Sequence, residues 1–272
     1  MRNTARVTQR HESLDLASID ALVRGTPFQG KLRYYDEIES TNVTANIEAL
    51  GGAPEGAVYI AGSQTAGRGR GGHIWHSEPG TGIYLSVILR PRLVPADLLW
   101  LSLATGLAVH TAIKEITSLS ADLRWPNDLL LGKKKFCGIL AEMNAEPTRT
   151  RFVVIGVGVN VNHDCFPGEL QEIATSLQIE TGHEYRLEPL IGALLCALWN
   201  EYIGLRADDG PASIRRRFEA ASSTAHGKYV RVEEGNFTGT TEALDDRGFL
   251  RVRTESGLRT VLSGGVREII PS

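Results

Sequence analysis

The stretch QTAGRGRGGHIW, residues 64–75, combines very little side-chain bulk with concentrated positive charge. Within it, four glycines surround Arg68 and Arg70. Glycine lets the backbone adopt positive φ and approach a ligand closely, while arginine presents a planar fork to a carboxylate or phosphate. A solvated surface loop would have the same composition. The stretch alone therefore leaves a ligand-binding loop and an ordinary exposed loop as equal alternatives.

The glycines also match G-x-G-x-x-G, the fingerprint of dinucleotide-binding turns, through Gly67, Gly69 and Gly72. That fingerprint has to open a helix, with an acidic residue about 20 positions later. Here the glycines lead to a turn at residues 79–82 and then into IYLSVIL, which has the pattern of a strand. The sequence therefore excludes a Rossmann turn at this position.

The flanking segments contain both strand and helix patterns. Runs of β-branched and aromatic residues predict strands, and apolar residues at spacings of three and four predict helices. The predicted strands span residues 32–38, 58–61, 83–89, 122–125 and 152–161, with a hairpin of 128–131 and 136–143 around three lysines. The predicted helices span residues 15–24, 43–50, 98–116, 169–177, 188–205 and 211–221. From residue 227, short alternating segments predict a small antiparallel barrel or sandwich. The fold class is α+β, a mixed sheet backed by helices.

The composition of the 272 residues is that of a globular protein, with 42% hydrophobic and 22% charged residues. A net charge of −3 gives no general attraction to nucleic acid or to an anionic membrane, so any anion site has to be local. No apolar run reaches the roughly 20 residues that span a bilayer, and the polar first 12 residues do not form a signal peptide. Three isolated cysteines indicate a reducing compartment. We expect a cytoplasmic protein that binds neither nucleic acid nor membrane.

Several short motifs each have a structural and a functional interpretation. Ser40-Thr41-Asn42 precedes a predicted helix, so its hydroxyls either cap that helix or, with the free amides, hold a polar ligand. Residues 133–135, three lysines at a predicted hairpin turn, are either a solvated cluster or charge for a ligand. Trp75 and Trp125 are as consistent with core packing as with a place in a binding site. Residues 127–128 are likewise consistent with a simple turn.

Taken in order, the motifs resemble those of the biotin protein ligases. The resemblance runs from about residue 32 to the C-terminus and rests on SerThrAsn at 40–42, QTAGRGRGG-x-x-W at 64–75, RWPND at 124–128, KFCGIL-x-E at 135–142 and IGVGVN at 155–160. Each motif is weak alone, but five in order are specific. The resemblance implies a seven-stranded mixed sheet with helices on one face, like that of class II aminoacyl-tRNA synthetases and biotin synthetases. It places the catalytic domain in residues 1–224, with residues 1–30 as a short extension, and an SH3-like β-barrel in residues 225–272.

The resemblance also implies an activity. Biotin and ATP, with Mg²⁺, give biotinyl-5′-AMP and pyrophosphate, and the biotinyl group then passes to one lysine of a biotin carboxyl carrier protein. Because two anions have to meet in the first step, the site needs fixed cations and donors. The implied biotin-binding residues are Ser40, Thr41, Asn42, Gln64, Arg68, Gly69, Arg70, Trp75 and Lys135. Arg124, Asn127, Asp128 and Asn160 are implied to face the nucleotide, its metal or the incoming amine, and Lys135, Arg70 and Asp128 are the catalytic candidates.

Two positions depart from the family pattern. Arg124 replaces the lysine that commonly precedes WPND, which keeps the charge but changes the geometry. His73 stands where many relatives have a basic residue, so any charge there depends on pH. His73 and His76 lack further cysteine or carboxylate ligands at a suitable spacing, and we expect no metal cage built by the protein, with Mg²⁺ carried by ATP.

Two other classes of function stay open. A lipoate ligase or transferase shares the general architecture, and a non-catalytic module would bind biotin or nucleotide without reaction. QTAGRGR and WPND favour the biotin enzymes, and the presence of Arg70 and Lys135 favours catalysis. About 30 residues precede the resemblance, too few for the winged helix-turn-helix of bifunctional relatives, so no repressor activity is expected. Relatives include monomers and homodimers that pair through sheet edges, and both states remain possible here.

Overall fold

The computed structural model describes residues 14–146 and 149–270. The polar segment at residues 1–12 lies outside the described residues. A seven-stranded sheet forms the centre of the molecule. Its strands are β1 (Leu32–Ile38), β2 (Val58–Gln64), β3 (Gly82–Leu89), β4 (Asp122–Arg124), β5 (Asp128–Leu131), β6 (Lys134–Glu146) and β7 (Arg149–Asn160). They follow the order β1-β2-β3-β7-β6-β5-β4, and only β1 and β2 are parallel. The predicted mixed sheet is confirmed.

Seven helices surround the sheet in the described part of the chain. They are α1 (Leu16–Leu22), α2 (Thr41–Leu50), α3 (Leu98–Thr117), α4 (Leu170–Ile173), α5 (Leu177–Thr181), α6 (Leu187–Leu205) and α7 (Gly210–Ala220). The helix predicted at residues 169–177 is wrong in extent, because α4 ends at Ile173 and the next helix, α5, begins only at Leu177. Ala174 has extended backbone, and the next amide, that of Thr175, donates to the carbonyl of Lys135 at 2.9 Å. A contact with β6 thus interrupts the helix.

The helices do not all lie on one face of the sheet. Apolar side chains of β3 that alternate along the strand point to opposite faces. Leu85 and Val87 pack in the main core with α3 and α6, whereas Ile88 packs with Ala45 and Ala49 of α2. The expectation of helices on one face is therefore wrong for α2. Ser86 shares its face of β3 with Ile88 and therefore lies on the side of α2.

The long helix α3 is the centre of the main core, as its apolar pattern predicts. By length and composition, the segment Pro95–Thr117 is the one helix among the described residues that could cross a membrane. The expectation of no such segment was therefore wrong for this helix. Of its most apolar window, 67% is buried inside the molecule. Burial of that extent is typical of a core helix, and we assign it to the core.

The C-terminal region forms a separate five-stranded antiparallel sheet. Its strands are β8 (His226–Val232), β9 (Phe237–Leu244), β10 (Leu250–Thr254), β11 (Gly257–Val261) and β12 (Val266–Glu268), in the order β11-β10-β9-β8-β12. The predicted boundary at 224/225 falls between the end of α7 and the start of β8. Trp125 joins the two regions, because it is 2% exposed and its indole Nε1 donates to the carbonyl of Gly248 at 2.9 Å. Trp125 therefore belongs to the core.

Candidate functional site: a glycine-floored cleft

A cleft, partly open to solvent, lies where α2 begins and the 64–75 stretch crosses the sheet. Its lining residues are Ser40, Thr41, Asn42, Gln64, Arg68, Gly69, Arg70, Trp75, Leu85, Asn127, Lys135, Gly138, Ile139, Leu140, Gly156, Val157 and Gly158. All nine predicted biotin-binding residues and one predicted nucleotide residue, Asn127, are among them.

Three glycines make the floor of this cleft flat. A Cβ at Gly156 would lie 2.0 Å from Oδ1 of Asn42, and a Cβ at Gly158 would lie 2.5 Å from the indole of Trp75. A Cβ at Gly138, the cross-strand partner of Gly158, would lie 2.9 Å from the same indole. The glycines of the β7 sequence thus let two cleft side chains lie directly on the strand, as glycine in a strand permits.

A buried polar network forms the end of the cleft near Gly156. Gln64 accepts from the backbone amide of Thr41 at 2.9 Å and donates to the hydroxyl of Ser77 at 2.9 Å. The hydroxyl of Ser86 lies 2.8 Å from that of Thr41 and 2.6 Å from Oδ1 of Asn42. Networks of this kind hold their members rigidly, because an unmade buried hydrogen bond is costly. The cleft therefore offers fixed donors and acceptors at this end.

Glu142 anchors the network from β6. Its carboxylate Oε2 accepts from the amide of Asn42 at 2.8 Å and from the amide of Asn46 at 3.1 Å. Asn46 also donates to the backbone carbonyl of Asn42 at 3.0 Å. Hydrogen bonds to an ionised acceptor are stronger than those between neutral groups. Glu142 thus fixes the orientation of the Asn42 amide.

Ser40 occupies the N-cap position of α2, as the sequence predicts. Its side chain makes no capping hydrogen bond, although the backbone is extended there. Ser40, Thr41 and Asn42 are each between 1% and 4% exposed. The capping interpretation of the triplet is therefore incomplete, because the buried polar side chains face the cleft.

The glycine stretch folds into a short hairpin-like loop. The amide of Gly69 donates to the carbonyl of His73 at 2.7 Å, and the amide of Trp75 donates to the carbonyl of Gly67 at 2.9 Å. Gly71 and Gly72 have φ of 63° and 81°, a region that favours glycine. The loop places the two arginines at the cleft and returns the indole of Trp75 onto the floor.

Three cations line the cleft, and one of them, Lys135, lies at the end that holds Trp75. Arg68 lies 3.5 Å from the carboxylate of Glu39, and the ammonium of Lys135 lies 5.4 Å from the centre of the Trp75 ring. Arg70 donates to Oδ1 of Asn127 at 3.2 Å. Burial is the main cause that lowers the pKa of Arg70, although the guanidinium stays protonated at neutral pH. This end of the cleft suits an anion.

The position of Lys135 differs from the prediction. The hairpin turn consists of Gly132 and Lys133, so Lys135 lies within β6 rather than at an exposed tip. Its Nζ is 2.7 Å from Oδ1 of Asp128, a contact close enough for an ion pair but unfavourably angled for a hydrogen bond. Strand β6 begins at Lys134, so Lys135 pairs with Leu130 of β5, next to a register shift between Leu129 and Leu130. Within the described chain, only Lys133 of the three lysines fits the solvated-cluster interpretation.

Three of the four predicted nucleotide residues do not line the cleft. Asp128 forms an ion pair with Lys135. Asn160, at the end of β7, is 4% exposed and donates to the carbonyl of Thr175 at 3.0 Å. Arg124 is the cross-strand partner of Asp128, and its Nε is buried without a hydrogen bond. Their roles toward nucleotide stay predictions.

Sequence reasoning missed Ser77, Ser86 and Glu142 as parts of the site. Ser86 carried a usable signal, since a lone hydroxyl inside the apolar run IYLSVIL has to find a partner when buried. Glu142 lies in a quoted motif, but its partners are about 100 residues away in sequence. Nothing in the sequence around Ser77 indicates its contact with Gln64.

The fold and the cleft define a protein ligase of the biotin/lipoate class. Residues 35–160 match the model of the biotin/lipoate A/B protein ligase family, and residues 225–266 match the biotin protein ligase C terminal domain. The bifunctional ligase/repressor BirA of Bacillus spizizenii is 38% identical over 238 residues, which are 86% of this chain and 73% of that protein. The chain belongs to the biotin protein ligase family.

Two further relatives support the assignment. The biotin–[acetyl-CoA-carboxylase] ligase of Paracoccus denitrificans is 31% identical over 229 residues, which are 80% of this chain and 94% of that protein. A structure of the Aquifex aeolicus biotin protein ligase in complex with biotin and ATP superposes with a TM-score of 0.76. It is 28% identical and covers 88% of this chain and 100% of its own.

Proposed function

We propose that this chain activates biotin with ATP to biotinyl-5′-AMP and then transfers the biotinyl group to one lysine of a biotin carboxyl carrier protein. The observation that carries the proposal is the division of the cleft into two chemically different ends. The polar network lies beside Gly156, the indole of Trp75 lies beside Gly158, and Lys135 lies beside Gly138, the cross-strand partner of Gly158. Two residues along a strand span about 7 Å. The cleft thus suits an elongated molecule with a polar head and an anionic tail.

The ureido ring of biotin is the head that fits the polar end. A ureido group has two N–H donors and one carbonyl acceptor, and Thr41, Asn42 and Gln64 supply complementary groups there. The valeryl chain would extend over the glycines, where a side chain would obstruct it. Trp75 would cover it, and the carboxylate would reach Arg70 and Lys135.

In the first step a carboxylate oxygen of biotin attacks the α-phosphorus of ATP. A new carbon–oxygen–phosphorus link forms as the bond from the α-phosphorus to the bridging oxygen breaks, and pyrophosphate leaves. Arg68, Arg70 and Lys135 would reduce the repulsion between the two anions and stabilise charge on the phosphorus oxygens. The pairing of Lys135 with Asp128 holds its ammonium in place before the reaction.

The nucleotide would lie against Asn127, with Arg124, Asp128 and Asn160 as further predicted contacts. Among the described residues, the cleft gathers no group of three histidine, cysteine or acidic ligands. A Mg²⁺ ion brought by the triphosphate would reduce its negative charge.

In the second step the neutral amine of the carrier lysine attacks the biotinyl carbonyl carbon. An amide bond forms, the carbon–oxygen bond to phosphate breaks, AMP leaves, and the amine loses a proton. An ordinary lysine with pKa near 10.4 is deprotonated about once in several thousand molecules at pH 7. The enzyme therefore has to retain the adenylate and exclude water until a carrier docks.

We place this protein in the cytoplasm, as its three isolated cysteines indicate. We propose a monomer or a homodimer that acts on the carrier of acetyl-CoA carboxylase without binding nucleic acid.

The experiment that tests the function compares biotin with lipoate as the acid, in the presence of ATP, and measures pyrophosphate release. The dithiolane ring of lipoate has no amide to meet the buried polar network, and such sites reject analogues that leave their polar groups unpaired. We expect release with biotin only. Release with lipoate would support the lipoate alternative, and biotin binding without release would support a non-catalytic module.

A further inference from the structure

A cluster of potential metal ligands lies next to the loop but outside the cleft. It consists of His76 and Glu78, in the segment after the loop, and His163, in the turn after β7. One ligand atom from each residue lies within 4.8 Å of the other two. The local spacing of His73 and His76 did not predict this arrangement, because His163 is 87 residues from His76 in the sequence and His73 is not a member.

His163 is held in the orientation that a metal-binding histidine needs. The residue is 1% exposed, and its ring stacks on Phe166 with centroids 4.9 Å apart. Its Nε2 lies 2.9 Å from the hydroxyl of Thr81, while its Nδ1 is buried without a hydrogen-bond partner. Metal-ligating histidines use one ring nitrogen for the metal and the other for such a hydrogen bond. The unpartnered nitrogen is therefore the one available for an ion.

His76 offers a second buried nitrogen. Its Nε2 has no hydrogen-bond partner and lies 3.9 Å from Oε2 of Glu78. A buried polar atom without a partner is unfavourable, so two in one cluster call for an explanation. Glu78 is half-exposed at its side chain, which gives an ion a route from solvent and lets the carboxylate rotate inward.

The chemistry of these ligands selects the kind of ion. Two imidazoles and one carboxylate suit zinc and similar transition metals, which leave a fourth position for water. Mg²⁺ and Ca²⁺ prefer sites built from oxygen. Tetrahedral ligands at about 2.0–2.1 Å from a metal lie about 3.4 Å apart. The three ligand atoms therefore have to approach one another by roughly 1 Å when an ion binds.

We propose that His76, Glu78 and His163 form a binding site for one divalent transition-metal ion of the zinc type. An ion there would join the segment after the loop to the turn after β7. Ser77, between two of the ligands, accepts the hydrogen bond from Gln64 in the cleft wall. Metal binding would thus stiffen one wall of the cleft without contacting substrate. The site does not depend on the proposed reaction.

The test uses untagged protein freed of metal with a chelator and titrated with Co²⁺ alone. We expect one Co²⁺ per chain, with the visible absorption of a tetrahedral ion, and its displacement by Zn²⁺. Glu78→Gln keeps the shape of an exposed side chain and should weaken binding by at least the roughly 10–100-fold that loss of a supporting group costs. His73→Ala removes an exposed histidine of the neighbouring loop, is the matched control and should bind Co²⁺ as the unmodified protein does.

Three results would overturn the proposal. The first is no saturable Co²⁺ or Zn²⁺ binding to the unmodified protein at micromolar concentrations. The second is equal binding by Glu78→Gln and the unmodified protein. The third is loss of binding in Cys165→Ser, which would assign the ion to a thiolate. His76→Gln serves as a second ligand variant, and circular dichroism on each variant separates loss of the ligand from loss of the fold.

Discussion

Substitution of a single floor glycine, Gly156→Ala, perturbs the cleft in a way that the structure makes quantitative. The new Cβ would lie 2.0 Å from Oδ1 and 2.8 Å from Cγ of Asn42, where ordinary contacts are at least about 3.4 Å. The Asn42 side chain therefore has to move by more than 1 Å. Gly156 is absent from the positive-φ glycines of the chain, so the substitution brings no backbone strain of its own.

The movement costs hydrogen bonds, since Asn42 is held on both sides. Its Oδ1 lies 2.6 Å from the hydroxyl of Ser86, and its Nδ2 donates to the carboxylate of Glu142 at 2.8 Å. A hydrogen bond between neutral groups contributes about 1 kcal/mol, and one to a charged group about 1.5–3 kcal/mol. Loss of both gives about 3 kcal/mol, which is about 100-fold in biotin affinity if the network orients the ligand.

Isothermal titration with biotin measures this effect, with thermal unfolding to confirm the fold. The matched control is Gly106→Ala in α3, which is also a buried glycine. A Cβ there meets its nearest neighbour, Leu123, at 3.5 Å, an ordinary contact. That variant should bind biotin normally and be slightly more stable, by about 0.5–1 kcal/mol. Unchanged biotin affinity in Gly156→Ala would refute the assignment of the polar network to biotin.

Three further substitutions test separate parts of the site. Lys135→Ala should lower the rate of pyrophosphate release by about 10²–10³-fold, as loss of an electrostatic donor does. Lys133→Ala, at the exposed turn, is the control and should leave this rate unchanged. Equal rates for the two variants would assign Lys135 a structural role only. Glu142→Gln should weaken biotin binding by about 5–10-fold, because the two asparagine amides then donate to a neutral oxygen. Glu146→Gln, at an exposed position, is the control. Equal biotin affinity of the two variants would contradict the anchoring role of Glu142. Arg70→Gly should release biotinyl-AMP into solution. In the absence of carrier protein, the released intermediate should biotinylate serum albumin, which a blot for biotin detects. Labelling no greater than with the unmodified enzyme would mean that Arg70 does not retain the intermediate.

The elements with strong periodicity were predictable from sequence. The pattern of residues 32–38 gives β1 with its observed bounds, and the pattern of residues 98–116 gives α3 to within one residue. In both, local propensity and burial favour the same structure. The C-terminal sheet follows for the same reason, because its turns recur at short intervals and its strands alternate.

Elements that depend on distant contacts were not predictable in detail. The division between α4 and α5 comes from the bonding of Thr175 to Lys135 and Asn160, which only tertiary structure brings together. Lys135 lies in a strand rather than in the turn, because the turn takes only residues 132–133 and Lys135 pairs with Leu130 of β5. Sequence patterns carry no signal for either contact.

The sequence predicts those residues of the candidate site that belong to recognisable motifs. It does not predict the residues that only hold those motif residues in position. The arginines of the loop and the 40–42 triplet were found through composition and resemblance. Ser77 and Ser86 were missed, because each has an ordinary sequence environment and acquires its role through a partner on another element. The same holds for His163, whose cluster joins residues far apart in sequence.

Transfer of labelled biotin to a carrier domain tests the central claim most directly. The unmodified chain is incubated with ATP, Mg²⁺, biotin and the biotin carboxyl carrier domain of an acetyl-CoA carboxylase, and the carrier is analysed by mass spectrometry. We predict one biotinyl group on a single carrier lysine, dependent on ATP and absent when that lysine is replaced by arginine. An unmodified carrier after complete mixing, with folded enzyme and measurable biotin binding, would contradict the account.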